Sequence, residues 1–223
     1  MLNVLFFDTE TNGLPTDRRA LTSDVAKWPH ILQISWTLKS YTETSSKTIE
    51  TQTHYLSLPP NVPWNDESAK FHMIDKAAIA AGLDPRDVLL QFMDVAKRAH
   101  VLVAHNLAFD KPVLRAAYYR LNSSENFSWW PILEYCTMES TKAMCKLPTK
   151  FARPGDPWKY PRLPELYSHL FGTEVSGVVL HTAEGDTAVL IQCFDELVLR
   201  RVVPFRMWFA NLSVRLLREE KTD

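Results

Sequence analysis

Three cysteines among 223 residues, Cys136, Cys145 and Cys193, make no disulfide framework, and their spacing does not match a zinc site. They are expected to be reduced, buried thiols, which predicts an intracellular, cytoplasmic setting. No stretch approaches the ~20 apolar residues of a membrane span. The apolar run Val4–Phe7 is too short for a secretory signal and leads straight into Asp8. No membrane partner is expected. An excess of positive charge is also missing: the net charge is −1. Bulk electrostatics therefore cannot be how this chain would grip a polyanion, and affinity would have to come from a local basic patch, bound cations and stacking. There is no internal repeat, and no low-complexity tract beyond Thr42–Thr48. What is present is 46% hydrophobic residues, enough for one sizeable core. The expected organisation is a domain over residues 1–202 and a helical extension over 203–223.

Asn3–Thr9 is continuous and apolar, as a strand covered on both faces is. Ile31–Leu38 and Thr48–Leu58 are two further strands joined by a polar turn, an antiparallel meander. Short helical patterning covers Asp66–His72. Pro85 opens a stronger helix with Val88, Leu89, Phe92, Val95 and Ala96 on one stripe. A buried strand at Val101–Ala104 precedes a helix over Leu107–Leu121. Ile132–Cys136 predicts a strand and Thr137–Cys145 a helix. Residues 146–162, with Pro148, Pro154, Pro157 and Pro161, predict a loop. Helices are expected at Leu163–Phe171 and Ala183–Arg200, with a last one at Pro204–Leu217. Strands first, then helices alternating with strands, indicate an α/β layer fold with a mixed sheet.

The chemistry lies in three acidic patches. In the first, period-two alternation puts Asp8 and Glu10 on the same side of the first strand. In the second, His105-Asn106-Leu107-Ala108-Phe109-Asp110, Asn106 is a helix N-cap candidate, and Asp110 lies in line with Val113, Leu114, Ala117 and Leu121. In the third, Asp186 lies in line with Leu190, Cys193 and Leu197, while His181 belongs to the loop before the helix that Thr182 caps. Each patch alone has an ordinary explanation: a turn cap, a solvated glutamate, complementarity to a helix dipole. Together they aim four carboxylates from a strand and two helices into the core. Such a set costs several kcal/mol per buried charge unless it is protonated or compensated. Hard divalent cations with oxygen ligands are the natural compensation.

Asp8-Thr9-Glu10, Asp110 within His-Asn-Leu-Ala-Phe-Asp, and His181 with Asp186, in that order, resemble the DEDDh 3′→5′ exonucleases. That family includes the proofreading epsilon subunit of bacterial DNA polymerase III, ribonuclease T and oligoribonuclease. The likeness spans about residues 2–200 and also takes in Cys136-Thr137-Met138 and Pro161–Gly172. It implies a ribonuclease H-like fold, a five-stranded mixed sheet flanked by helices. It also implies an exonuclease that releases nucleoside 5′-monophosphates with two divalent cations, Mg2+ or Mn2+. By the same resemblance, Asp8, Glu10, Asp110 and Asp186 are the metal ligands and His181 is the general base. Backbone amides at Thr11 and Asn12 would meet the terminal 3′ hydroxyl. Leu14 and Phe109 would pack on the last bases, and Asn106 would reach the strand.

A basic run supports this reading: Lys142, Lys146, Lys150, Arg153, Lys159 and Arg162, interleaved with Trp158 and Tyr160, could track a backbone or could be a solvated loop. Phe205, Trp208, Phe209, Leu212 and Leu216 share one helical face. It packs on the domain or docks a polymerase or a second copy through 204–217. The expected substrate is a single-stranded or frayed DNA 3′ end. The rival readings are an exoribonuclease of the same chemistry, a non-catalytic module that binds nucleic acid or a polymerase, and a metalloenzyme with an unrelated substrate.

Overall fold

The structure, a computed structural model, describes residues 1–121, 127–131 and 133–210; of residues 152 and 153 it describes the backbone. Its centre is a five-stranded sheet ordered β3-β2-β1-β4-β5, with β1 Leu2–Thr11, β2 Ile31–Tyr41, β3 Ser46–Tyr55, β4 Val101–Ala104 and β5 Leu133–Cys136. β1–β2 and β2–β3 are antiparallel, and β1–β4 and β4–β5 are parallel. This is the mixed α/β sheet that the strand-then-alternation pattern predicted.

The apolar continuity of β1 has a direct cause, since both of its faces are covered. Leu5 and Phe7 face one core with Trp36, Phe92 and Leu114. That core lies under α3 (Pro85–Ala96) and α4 (Leu107–Leu121). Val4 and Phe6 face the other core with Tyr135, Leu166 and Phe194. It lies under α6 (Leu163–Phe171) and α7 (Ala183–Leu199). Phe7 meets Phe92 edge-on at 5.4 Å and Phe6 meets Phe194 at 5.0 Å, a favoured aromatic geometry on each side of one strand. α7 is also tied to the sheet by charge. Lys39 and the Tyr41 hydroxyl on β2 donate to the two oxygens of Asp195, each at 2.5 Å.

The helix α1 (Asp66–His72) and the helix α5 (Thr137–Cys145) form over the predicted residues. A five-residue helix, α2 (Lys76–Ala80), was not predicted. The largest departure is at 146–162. In place of a loop, β6 (Leu147–Arg153) and β7 (Asp156–Lys159) form a separate antiparallel hairpin. Pro154 and Gly155 supply the turn, so one of the prolines that suggested a loop instead helps to close a strand pair.

Beyond α7, residues 205–210 are helical. Val203 and Trp208 are buried in the second core, with Phe205 and Phe209 packed against it. The predicted contributions of Leu212 and Leu216 lie outside the described residues, as do Ile132 and the rest of 204–217 beyond residue 210. Among the described residues no helix is long and apolar enough to cross a membrane.

Candidate active site

Asp8 and Glu10 leave β1 on the face covered by α7. Their carboxylate oxygens and one of Asp186, in the first turn of α7, all lie within 4.8 Å of one another. Pairing across β1–β2 sets Glu10 beside Gln33 and Asp8 beside Ser35. Those two β2 residues pin α7: the Gln33 Oε1 accepts the Ala183 amide at 2.8 Å, and the Ser35 carbonyl accepts the Thr187 hydroxyl at 3.5 Å. Gln33 went unnoticed in the sequence, although an amide inside the apolar run Ile31–Ile34 was the available signal.

Asp110 comes from the other face. It is 2% exposed and accepts the Thr9 hydroxyl at 2.7 Å. Thr9 points away from Asp8 and Glu10, as alternation requires, and so bridges the strand to α4. The four carboxylates are therefore not one equal cage. Three share a ligand-sized space and the fourth stands beside them, held by its own hydroxyl donor.

The electrostatics bear out the crowding. Burial, then Asp110, Asp186 and Glu10, hold the Asp8 carboxyl well above the usual carboxylate range. Burial, then Asp186 and Asp110, push Glu10 up to about 8. Burial raises Asp110 to about 7 against the pull of the Thr9 hydrogen bond. Asp186 is raised by burial, while the His181 amide and imidazole pull the other way. A set of oxygen donors that resists ionising because it is buried, and in Asp8, Glu10 and Asp110 also because carboxylates crowd it, fits a hard divalent cation, whose charge would oppose these shifts.

His181 stands in the exposed loop before α7, with φ 61°. Its backbone N–H donates to Asp186 at 3.3 Å. The loop is drawn tight: the Thr182 hydroxyl donates to the Val179 carbonyl at 2.9 Å and accepts the Gly185 amide at 3.1 Å. A methyl group on Gly185 would lie 1.9 Å from the Val179 carbonyl oxygen. Only glycine permits this approach, and a glycine in a first helical turn, costly by ~1 kcal/mol, was its trace in the sequence. Gly185→Ala is expected to displace the His181 loop and lower kcat by about 10²-fold with little change in KM. Steady-state kinetics on a labelled oligonucleotide, with a thermal melt to verify folding, measures this; an unaltered kcat would mean that the loop absorbs the methyl without moving His181.

The predicted substrate residues divide. Leu14 is 68% exposed beside the cluster-bearing strand, whereas Phe109 is half-buried against the first core. Thr11 is buried and its hydroxyl donates to the Gly13 carbonyl at 2.7 Å. Asn12 departs from expectation. Its amide donates to the His30 carbonyl at 3.0 Å and its side chain accepts the His30 amide at 2.7 Å, so both close the 12–30 loop. Arg120 of α4 fastens the same loop through the carbonyls of Val25, Trp28 and Pro29. Asn106 precedes α4 in the left-handed region at φ 76°, a conformation asparagine tolerates. The start of α1 lies over this corner, with Asn65 3.2 Å from where a Gly13 side chain would begin, and Phe71 of α1 is 74% exposed.

A family model described as Exonuclease (RNase T) matches residues 5–194. The zinc-bound form of E. coli exonuclease I in complex with single-stranded DNA superposes with a TM-score of 0.70, at 18% identity, over 94% of this chain and 43% of that one. E. coli exonuclease I with a dT13 oligonucleotide gives 0.65, at 18% identity, over 89% and 41%. An exonuclease I from Methylocaldum szegediense gives 0.66, at 18% identity, over 95% and 43%. The chain thus spans less than half the length of these structures, and at such identity they establish the fold. No curated protein sequence matches. With the family match running from the strand that bears Asp8 to the helix that bears Asp186, the chain belongs to the exonuclease family, within the DEDDh 3′→5′ superfamily.

Proposed function

We propose that the protein is a metal-dependent 3′→5′ exonuclease that digests single-stranded or frayed DNA ends to nucleoside 5′-monophosphates. One observation carries the proposal: the carboxylate oxygens of Asp8, Glu10 and Asp186 share a space the size of a cation's ligand shell, with the buried Asp110 beside them. Asp8, Glu10 and Asp186 are the proposed ligands of one Mg2+ or Mn2+, and Asp8 of a second, with Asp110 supporting it. When bound, divalent cations supply activation of water and neutralisation of charge at the phosphate.

The remaining work belongs to the chain. His181, on its exposed loop, takes the proton of the attacking water at an imidazole nitrogen, which in the neutral ring is free to accept it. Its amide contact to Asp186 keeps base and carboxylate in register. Leu14 and Phe109 pack on the terminal bases, a sequence-tolerant grip suited to any end. Thr11, at the end of the strand that carries Asp8 and Glu10, and Asn106, at the start of the helix that carries Asp110, orient the sugar and phosphate, while Asn12 holds the 12–30 loop closed. The oligonucleotide complexes of exonuclease I, which share this fold, support a single strand as the substrate.

Incubation with 5′-labelled single-stranded DNA and RNA oligonucleotides tests the proposal. With Mg2+ or Mn2+ a ladder of shortened products is expected, faster on DNA, and it should vanish in chelator. Binding without shortening would replace the enzyme with a binding module, and a faster ladder on RNA would replace the substrate.

A further inference from the structure

The β6–β7 hairpin is irregular in a specific way. Leu147 pairs with Lys159, Pro148 with Trp158, and then Arg153 with Asp156. Residues 149–152 of β6 therefore face Pro157 alone. Proline has no N–H to give the ladder, so the longer strand must bulge. The bulge is turned in on itself, with the Phe151 amide donating to the Thr149 hydroxyl at 3.2 Å. As a result, Phe151 is thrown outward and is 88% exposed; among the described residues no large apolar side chain is more so.

An exposed phenylalanine alone says nothing. Its neighbours give it meaning. Lys142 pairs with Asp156 at 2.5 Å and sits over the Tyr160 ring at 4.4 Å, and Lys159 pairs with Glu165. The acid of the hairpin is thus already neutralised. Lys150, next to Phe151, and Lys146, which ends α5, are both exposed and have no carboxylate partner among the described residues. A chain of net charge −1 therefore presents a local positive, aromatic surface.

That surface is fastened to the active site. Past Tyr160, the Pro161 carbonyl accepts from His105 Nε2 at 3.0 Å, and His105 Nδ1 accepts the Thr137 hydroxyl at 2.9 Å. A carbonyl can only accept, so the ring proton is on Nε2. Burial pulls His105 down to about 4, so the neutral tautomer persists at neutral pH. His105 immediately follows β4 and precedes Asn106. The foot of the hairpin is thereby fixed to the strand end that delivers Asn106 and Asp110.

We infer that the hairpin is a docking surface for the nucleic-acid strand upstream of the end being digested, with Phe151 as a base-stacking platform and Lys146 and Lys150 as phosphate contacts. This rests on the exonuclease reading above for which strand is held, but its test does not need turnover. Anisotropy of labelled oligothymidylates of four and twenty nucleotides, in chelator and across a salt range, measures it. Phe151→Ala should weaken the twenty-mer roughly tenfold, the scale of one lost stack, with a much smaller loss on the four-mer, and Phe151→Trp should restore binding. The Lys146→Ala/Lys150→Ala double variant should flatten the slope of log affinity against log salt by about 1.4, at ~0.7 per phosphate contact on a single strand. Equal loss on both lengths, or no loss on either, overturns the assignment; the latter would point to a protein partner for this surface. A wild-type protein that shows the length-dependent binding but no digestion would overturn the exonuclease reading and leave the docking surface standing.

Discussion

Asp8→Ala should lower turnover on a single-stranded oligonucleotide by at least about 10³-fold, the several kcal/mol that metal assistance contributes to a barrier. The same substitution should make the metal-free protein more stable. Asp8, Glu10, Asp110 and Asp186 all have raised pKa values, with Glu10 near 8 and Asp110 near 7. These groups bind protons more tightly folded than unfolded, where carboxyls titrate near ~4. The stability they contribute is complete below the unfolded value and is lost as pH rises towards 7–8, where folding must crowd ionised carboxylates together. In chelator, Asp8→Ala should therefore melt above wild type at pH 8, with the gap closing towards pH 5. Mn2+ should raise the wild-type melting temperature most at pH 8 and raise the variant much less, since stabilisation by a ligand follows its occupancy. Calorimetry at the two pH values with and without metal measures both. A variant that melts like wild type in chelator and gains as much from Mn2+ would remove Asp8 from the metal site.

Much of this was legible before the fold. Asp8 and Glu10 had to share a face because a strand alternates, and Asp186 had to face inward because it lies in line with Leu190, Cys193 and Leu197. The long helices α3, α4 and α7 were read from their apolar stripes and caps. What stayed hidden depended on the partner, which a single sequence does not show. Asp110 could be placed on the inner side of α4, but not that the Thr9 hydroxyl would hold it outside the three-carboxylate space. The sequence shows an Asn12 backbone amide open to a substrate, but His30, brought back by the 12–30 loop, takes that N–H and the side-chain oxygen. The hairpin was masked by its prolines, which terminate strands in general but here sit at its turn and its bulge. α2, five residues long, is too short to show a helical period.

The histidine offers the sharpest separation of chemistry from binding. His181 is absent from the carboxylate cluster: the ligand-sized group holds Asp8, Glu10 and Asp186 alone, among the described residues. Removing its imidazole should therefore leave cation affinity near wild type while slowing the chemical step, by about 10²–10⁴-fold for a lost general base. His181→Ala keeps the backbone amide that reaches Asp186, so the carboxylate geometry should survive. The pH profile distinguishes a base from a bystander. At saturating Mn2+, wild-type kcat should fall on the acid side, because a base works only in its unprotonated form, and His181→Ala should lose that limb while its residual rate follows hydroxide. Single-turnover rates from pH 5.5 to 9, alongside Mn2+ titration by calorimetry, give both readings. Two-metal chemistry without a histidine base would instead leave the limb in place. A fall in Mn2+ affinity matching the fall in rate would make His181 part of the metal site, and Gly185, whose bare Cα lets the loop close against Val179, would then be positioning a ligand instead of a base.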